Sequence, residues 1–154
     1  MITGLSHITF ICRDLDRMEA VLTGVLGARR VYDSGEATFS LSRERFYLVG
    51  GQGDDGLWLA VMEGEPLAEP TYNHVAFAVA EADLEACLAR VQALGLTFRP
   101  PRPRVAGEGR SLYFYDHDNH LFELHTGTLP ERLARYRQGR PAAPAQTPDN
   151  PTTS

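Results

Sequence analysis

Apolar and polar residues alternate from His7 to Cys12 and again from His74 to Val79, with Ile8, Phe10 and Val75, Phe77 on one side of each stretch. A period of two predicts half-buried strands. Each stretch runs into an amphipathic segment of helical period, about 15–26 in the first case and 82–94 in the second. Asp14 or Asp16 can cap the first helix, and Asp83 lies in the opening turn of the second. Gly27 and Gly95 follow the two helices and suit the left-handed position just past a C-terminus. Further strand-like runs cover 28–34, 38–49 and 57–63, then 97–99, 111–115 and 120–125. The order is β-α-β-β-β, twice, which predicts an α+β fold of paired βαβββ modules.

The two halves also match in sequence. S-H-I-T-F-I-C-R-D-L-D from Ser6 aligns with N-H-V-A-F-A-V-A-E-A-D from Asn73, and the histidines, phenylalanines and aspartates recur 67 residues apart (74 − 7, 77 − 10, 83 − 16). Module one spans about 4–63 and module two about 72–127, with a linker over 64–71 that contains Pro66 and Pro70. Pro100-Pro101-Arg102-Pro103-Arg104, followed by Gly107 and Gly109, breaks any strand ladder and predicts a long loop. A short helix is expected over 130–138, completing one domain over 1–138, and the Pro/Ala/Thr-rich stretch 139–154 reads as a disordered tail.

Composition narrows the class without naming a chemistry. The chain has 154 residues, 43% of them hydrophobic and 23% charged, which suits one domain. A net charge of −5 argues against nonspecific binding to nucleic acid or anionic membrane. No apolar run reaches the roughly 20 residues of a membrane span, and M-I-T-G-L-S-H-I-T-F lacks a basic, signal-type start. Two cysteines, Cys12 and Cys87, make no disulfide framework and fit a reducing cytoplasm.

The candidate chemistry begins with His7 and His74. They occupy equivalent repeat positions, opposite the apolar face of their strands, so a pseudo-twofold would bring both rings toward one axis. A metal site then needs further donors, and carboxylate is the natural third. Glu123 interrupts the apolar strand H-L-F-E-L-H, where a carboxylate is costly unless paired or metal-bound. Its first-half equivalent is Ala60, so the repeat supplies two histidines and one carboxylate, leaving open positions on a metal. His117, His120 and His125 are rival ligands, the first two in a polar turn that reads as solvated. Glu44 shares a strand face with Ser42, Phe46 and Leu48, though its neighbours Arg43 and Arg45 also allow an exposed surface charge. Cys12 and Cys87 read as packing residues, and phosphate-loop, nucleophile-elbow and zinc-finger spacings are absent from the sequence.

With these residues in place the chain resembles the vicinal oxygen chelate superfamily, and within it the fosfomycin-resistance branch of FosX-type epoxide hydrolases. The stretches that carry the resemblance are G-L-S-H-I-T-F-I, F-S-L-S-R-E-R-F, Y-N-H-V-A-F, R-P-R-V-A-G-E-G-R-S-L-Y-F-Y-D-H-D-N-H-L-F-E-L-H-T-G-T-L and E-R-L-A-R-Y, together covering about 2–138 apart from the insertion 50–56. The resemblance implies a divalent metal, typically Mn²⁺, on His7, His74 and Glu123. It implies Glu44 as the general base that activates water for attack on C1 of fosfomycin, giving a diol, a role missing from thiol-using relatives. Substrate contacts implied are Thr9, Phe46, Tyr72, Ser111, Tyr113 and Arg132, with Arg104 replacing a loop lysine of the glutathione-dependent relatives. Gly107 stands where a serine ligand for K⁺ would be, which argues against K⁺ activation. A homodimer, each site drawing on both chains, is implied as well. A fosfomycin thiol transferase, or an enzyme doing both reactions, is the near alternative; a metal-free drug-sequestering protein of the bleomycin-resistance type is the distant one.

Overall fold

A computed structural model describes residues 1–38, 40–100 and 109–138. The first half runs β1 (His7–Cys12), α1 (Leu15–Gly24), β2 (Arg29–Asp33), β3 (Glu44–Val49), β4 (Leu57–Glu63). The second runs β5 (His74–Ala78), a 3₁₀ turn (Glu81–Asp83), α2 (Leu84–Ala93), β6 (Thr97–Arg99), β7 (Ser111–Tyr115), β8 (Leu121–His125), and α3 (Leu129–Gln138) closes the described chain. The strands form two four-stranded sheets of one topology, β1-β4-β3-β2 (sheet A) and β5-β8-β7-β6 (sheet B). In each, the first strand pairs parallel with the last of its module. His7 lies opposite Trp58 and His74 opposite Leu121, so Ala60 in sheet A occupies the place of Glu123 in sheet B. The repeat read from the sequence is a repeat in space.

Local chemistry explains the helix ends. Asp14 Oδ1 accepts from the backbone N–H of Asp16 at 2.9 Å and of Arg17 at 3.1 Å, satisfying two donors at the start of α1. Leu15, Met18, Val21 and Leu22 then fall on one buried face. Gly27 and Gly95 adopt φ of 66° and 63° just past the first two helices, where a side chain would be strained. The third helix begins with a capping box that the sequence reading passed over, in T-L-P-E. The Thr128 N–H and hydroxyl both donate to Glu131 Oε2, at 2.8 and 2.7 Å.

One face of each sheet is apolar and packs beneath its helix, α1 against β4 and α2 against β7. These faces merge into a single core that includes Phe10, Leu22, Tyr47, Leu59 and Val61 from the first half and Val91, Phe114, Phe122 and Leu124 from the second. The rings of Phe10 and Phe122 meet across the seam at 5.3 Å. Polar groups reinforce it, with Arg13 Nη1 on Asp118 Oδ1 at 3.1 Å and Arg17 beside His117 at 2.9 Å.

Several expectations need correction. The strand expected over 38–49 begins only at Glu44, because the backbone turns before it; Ser34 accepts from Ala37 N at 3.1 Å, and Leu41 is exposed. The turn D-H-D-N-H is not solvated throughout. Asp116 and Asp118 are buried, and His120 Nδ1 sits 2.7 Å from Asp116 Oδ2 with its ring edge-on to Phe10. The expected loop around 100–104, Arg104 with it, Gly107 and the tail over 139–154 lie largely or wholly outside the described residues.

Candidate active site

Alternation fixes what stands on the face of each sheet away from the core. On sheet B, register places His74, Ala76, Glu123, His125, Ser111, Tyr113 and Arg99 on that face. His74 Nδ1 lies 2.8 Å from the carbonyl oxygen of Tyr72. A carbonyl only accepts, so Nδ1 carries a proton and Nε2 is the nitrogen presented to Glu123, whose Oε2 lies 3.0 Å away. Glu123 Oε1 accepts from the hydroxyl of Ser111. Burial pushes the Glu123 carboxyl up, but hydrogen bonds from Ser111 and Tyr113 and the nearby His125 and His74 more than offset it, and the net shift is below the ordinary carboxylate value. The site therefore holds a buried carboxylate in its ionised form, with one oxygen braced and the other beside an imidazole nitrogen. A hard or borderline divalent ion suits that pair of donors.

Around this pair the wall is aromatic and basic. The Tyr113 hydroxyl is pushed up to about 12, first by burial and then by its bond to Glu123, so it stays protonated at neutral pH. The Tyr72 ring is 5.1 Å from His74, and the Arg99 guanidinium lies 4.4 Å from the Tyr72 ring centre. The capping box starts α3 so that Arg132, with Thr128 and Leu129, lines a cleft of about 280 Å³ shared with His74, Glu123 and His125.

Sheet A presents a second set. His7, Thr9, Ile11, Trp58, Ala60, Met62, Glu44 and Phe46 share its outer face. The His7 ring is 4.4 Å from Trp58, and Trp58 packs edge-on against Phe46 at 5.2 Å. Ser6 Oγ lies 3.1 Å from His7 Nδ1. Glu44 is half-buried and takes a long hydrogen bond of 3.4 Å from Ser40. The two arginines beside it in sequence are engaged elsewhere, Arg43 with Glu63 at 2.7 Å and Arg45 with Glu19 at 2.7 Å and Asp33 at 2.9 Å.

A family profile described as "Glyoxalase/Bleomycin resistance protein/Dioxygenase superfamily" matches residues 4–124. The fosfomycin resistance protein FosX of Mesorhizobium japonicum is 60% identical over 143 residues, 93% of this chain and 99% of that one. The chain belongs to the FosX branch of the glyoxalase/bleomycin resistance protein/dioxygenase superfamily. The crystal structure of FosX from Mesorhizobium loti superposes with a TM-score of 0.76 at 58% identity, covering 88% of this chain and all of that one. A variant of FosX from Listeria monocytogenes, solved with Mn(II) and 1S,2S-dihydroxypropylphosphonic acid, has a TM-score of 0.77 at 49% identity, over 88% of this chain and 99% of that one.

For this FosX-branch chain, the fold distributes the expected site residues over two faces. His74, Glu123, Tyr72, Ser111, Tyr113 and Arg132 gather on or beside sheet B, whereas His7, Thr9, Glu44 and Phe46 gather on sheet A. Among the described residues of one chain, no three histidine, cysteine or carboxylate groups converge as a metal site. His117 pairs with Arg17 and His120 with Asp116, and His120 also borders a cleft of about 290 Å³ beside Thr9 and Ile11 of sheet A. Cys12 is buried in the core and its thiol is pushed up to about 12, chiefly by burial, which fits a packing role. Sequence reasoning passed over Trp58, Arg99 and the bond partners of His125. Period two along H-L-F-E-L-H already puts His125 on the face of Glu123, and the lone tryptophan opposite His7 needed the strand register to be seen.

Proposed function

We propose that this protein is an Mn(II)-dependent fosfomycin hydrolase, whose active site joins the outer face of sheet B in one copy to that of sheet A in a second. The observation that carries the reading is the diol-phosphonate bound with Mn(II) in the Listeria relative, set beside a chain that has on one face a glutamate paired with no arginine among the described residues and on the other a braced histidine–glutamate pair. His74 Nε2, Glu123 Oε2 and the second copy's His7 hold the metal. When bound, Mn(II) supplies a Lewis acid to the epoxide oxygen and leaves open positions for substrate.

The chain's own groups do the rest. Glu44 lies on the sheet opposite the His74–Glu123 pair, so its carboxylate takes a proton from water on the far side of the substrate. The water oxygen bonds to C1 as the C1–O bond of the epoxide breaks, and the opened oxygen takes up a proton to complete the diol. Arg132, across the cleft, supplies a positive charge to the phosphonate, while Tyr113, protonated at neutral pH, lines the substrate's side of the site with its proton committed to Glu123. Thr9 and Tyr72 flank the two histidines and complete its polar contacts, with Arg104 of the loop as a further cation. Phe46, packed on Trp58, forms an apolar wall that limits water to the attacking molecule. No described helix is long and apolar enough to cross a membrane; with Cys12 and Cys87 both free and buried, we place the protein in the cytoplasm.

The test is turnover of fosfomycin by the purified chain with Mn(II) and without thiol, followed by phosphorus NMR. The expected product is dihydroxypropylphosphonate, and chelation of the metal abolishes it. Absence of turnover, or turnover only with glutathione, overturns the hydrolase reading, the latter in favour of thiol transfer.

A further inference from the structure

His125 stands on the site face of sheet B and has no part in the proposed reaction, yet its ring is drawn into the braced carboxylate. Its register partner is Ser111 on β7. The Ser111 hydroxyl donates to Glu123 Oε1, and its oxygen lies 2.8 Å from His125 Nδ1. A serine hydroxyl has one proton, and an ionised carboxylate can only accept. The Ser111 proton therefore belongs to Glu123, and Ser111 in turn accepts from the Nδ1–H of His125. The direction of both bonds follows, His125 to Ser111 to Glu123. His125 Nδ1 is 3.6 Å from Glu123 Oε1, too far for a direct hydrogen bond, so the hydrogen-bonded link between the two side chains passes through the serine. The side chains of His125 and Glu123 are only 16% and 7% exposed, so water competes poorly with the chain of bonds.

We propose that His125 is a positioning residue that helps fix the rotamer of Glu123 through Ser111, holding Oε1 so that Oε2 is presented beside His74 Nε2. The inference rests on the reading of Glu123 as a metal ligand. It also makes Ser111 a structural link, because a hydroxyl whose one proton is committed to Glu123 has none for a phosphonate oxygen. Groups that orient metal ligands through their second oxygen or nitrogen typically change metal affinity by about 10–100-fold when removed.

The test is the Mn(II) dissociation constant of the full chain without substrate, read from the electron paramagnetic resonance signal of free Mn(II). His125→Ala is expected to weaken binding about 10-fold and Ser111→Ala at least as much, with the double variant no weaker than Ser111→Ala alone. His125→Asn, which keeps an N–H near the place of Nδ1–H, is expected to stay within about threefold of wild type. His125→Leu, of similar bulk without a donor, is expected to match His125→Ala, and this pair decides the matter if the alanine variant fails to fold. Wild-type affinity in His125→Leu, equal losses in the asparagine and leucine variants, or additive losses in the double variant each overturn the inference. Failure of the wild-type chain to bind Mn(II) instead overturns the metal reading beneath it.

Discussion

Glu44 and Glu123 are both strand glutamates, and their surroundings prepare them for different roles. Glu123 is 6% exposed and has its Oε1 occupied by Ser111, so it offers a fixed oxygen. Glu44 is half-buried, with a weak bond from Ser40 and its neighbouring arginines turned to other carboxylates, so it offers a carboxylate able to accept a proton. Glu44→Gln is accordingly expected to keep wild-type Mn(II) affinity while thiol-free kcat falls by about 10²–10⁴-fold. Hydration at wild-type rate in that variant removes Glu44 from the base role. Glu123→Ala is expected to show the reverse order of events, with Mn(II) affinity lost by more than about 100-fold before any question of rate arises. At this scale the sequence was most informative where a charged residue broke an apolar pattern, as Glu123 does in L-F-E-L-H. It was least informative for hydrogen-bond partners, since nothing in the spacing of Ser111 and His125 reveals that both reach one carboxylate.

Elements were legible wherever a local rule decided them. Alternation gave β1 and β5, and Asp14 with Gly27 gave the ends of the first helix. Asp14→Ala is expected to cost about 1 kcal/mol and lower the thermal midpoint by roughly 2–4 °C; an unchanged midpoint would show that the cap adds nothing to stability. The start of β3 was misplaced because T-F-S-L-S has strand-like composition, while the chain turns at Ser34–Ala37, Leu41 is exposed and the ladder begins at Glu44. Elements also set the acid limit of the fold. Asp33, at the end of β2, is held below the usual carboxylate range chiefly by the Gly35 N–H, and Glu63, at the end of β4, chiefly by its bond from Arg43. A depressed folded-state value contributes stability above the unfolded pKa and loses it as pH falls through the folded one. The denaturant midpoint is therefore expected to be steady from pH 8 to 5 and to fall below about pH 4. A midpoint that stays level to pH 3 would show that these pairs contribute nothing.

For the whole molecule, the pseudo-symmetry was readable as a 67-residue echo between histidines, but the assignment of halves to sites was not. Period two tells which face His7 and His74 occupy; it does not tell which sheet faces which. One chain commits the apolar faces of both sheets to a common core through Phe10, Phe114 and Phe122, and leaves two outer faces, each with part of the proposed catalytic set. The proposed pairing of two copies completes both sets by one symmetry operation. The most direct measurement of a shared site mixes His7→Ala and His74→Ala chains after unfolding and refolding together, and assays thiol-free fosfomycin hydration with Mn(II). Each variant alone is expected to be inactive, whereas random pairing leaves one intact site in each mixed dimer and returns about a quarter of wild-type activity. A mixture no more active than either variant alone would contradict a site built from two chains.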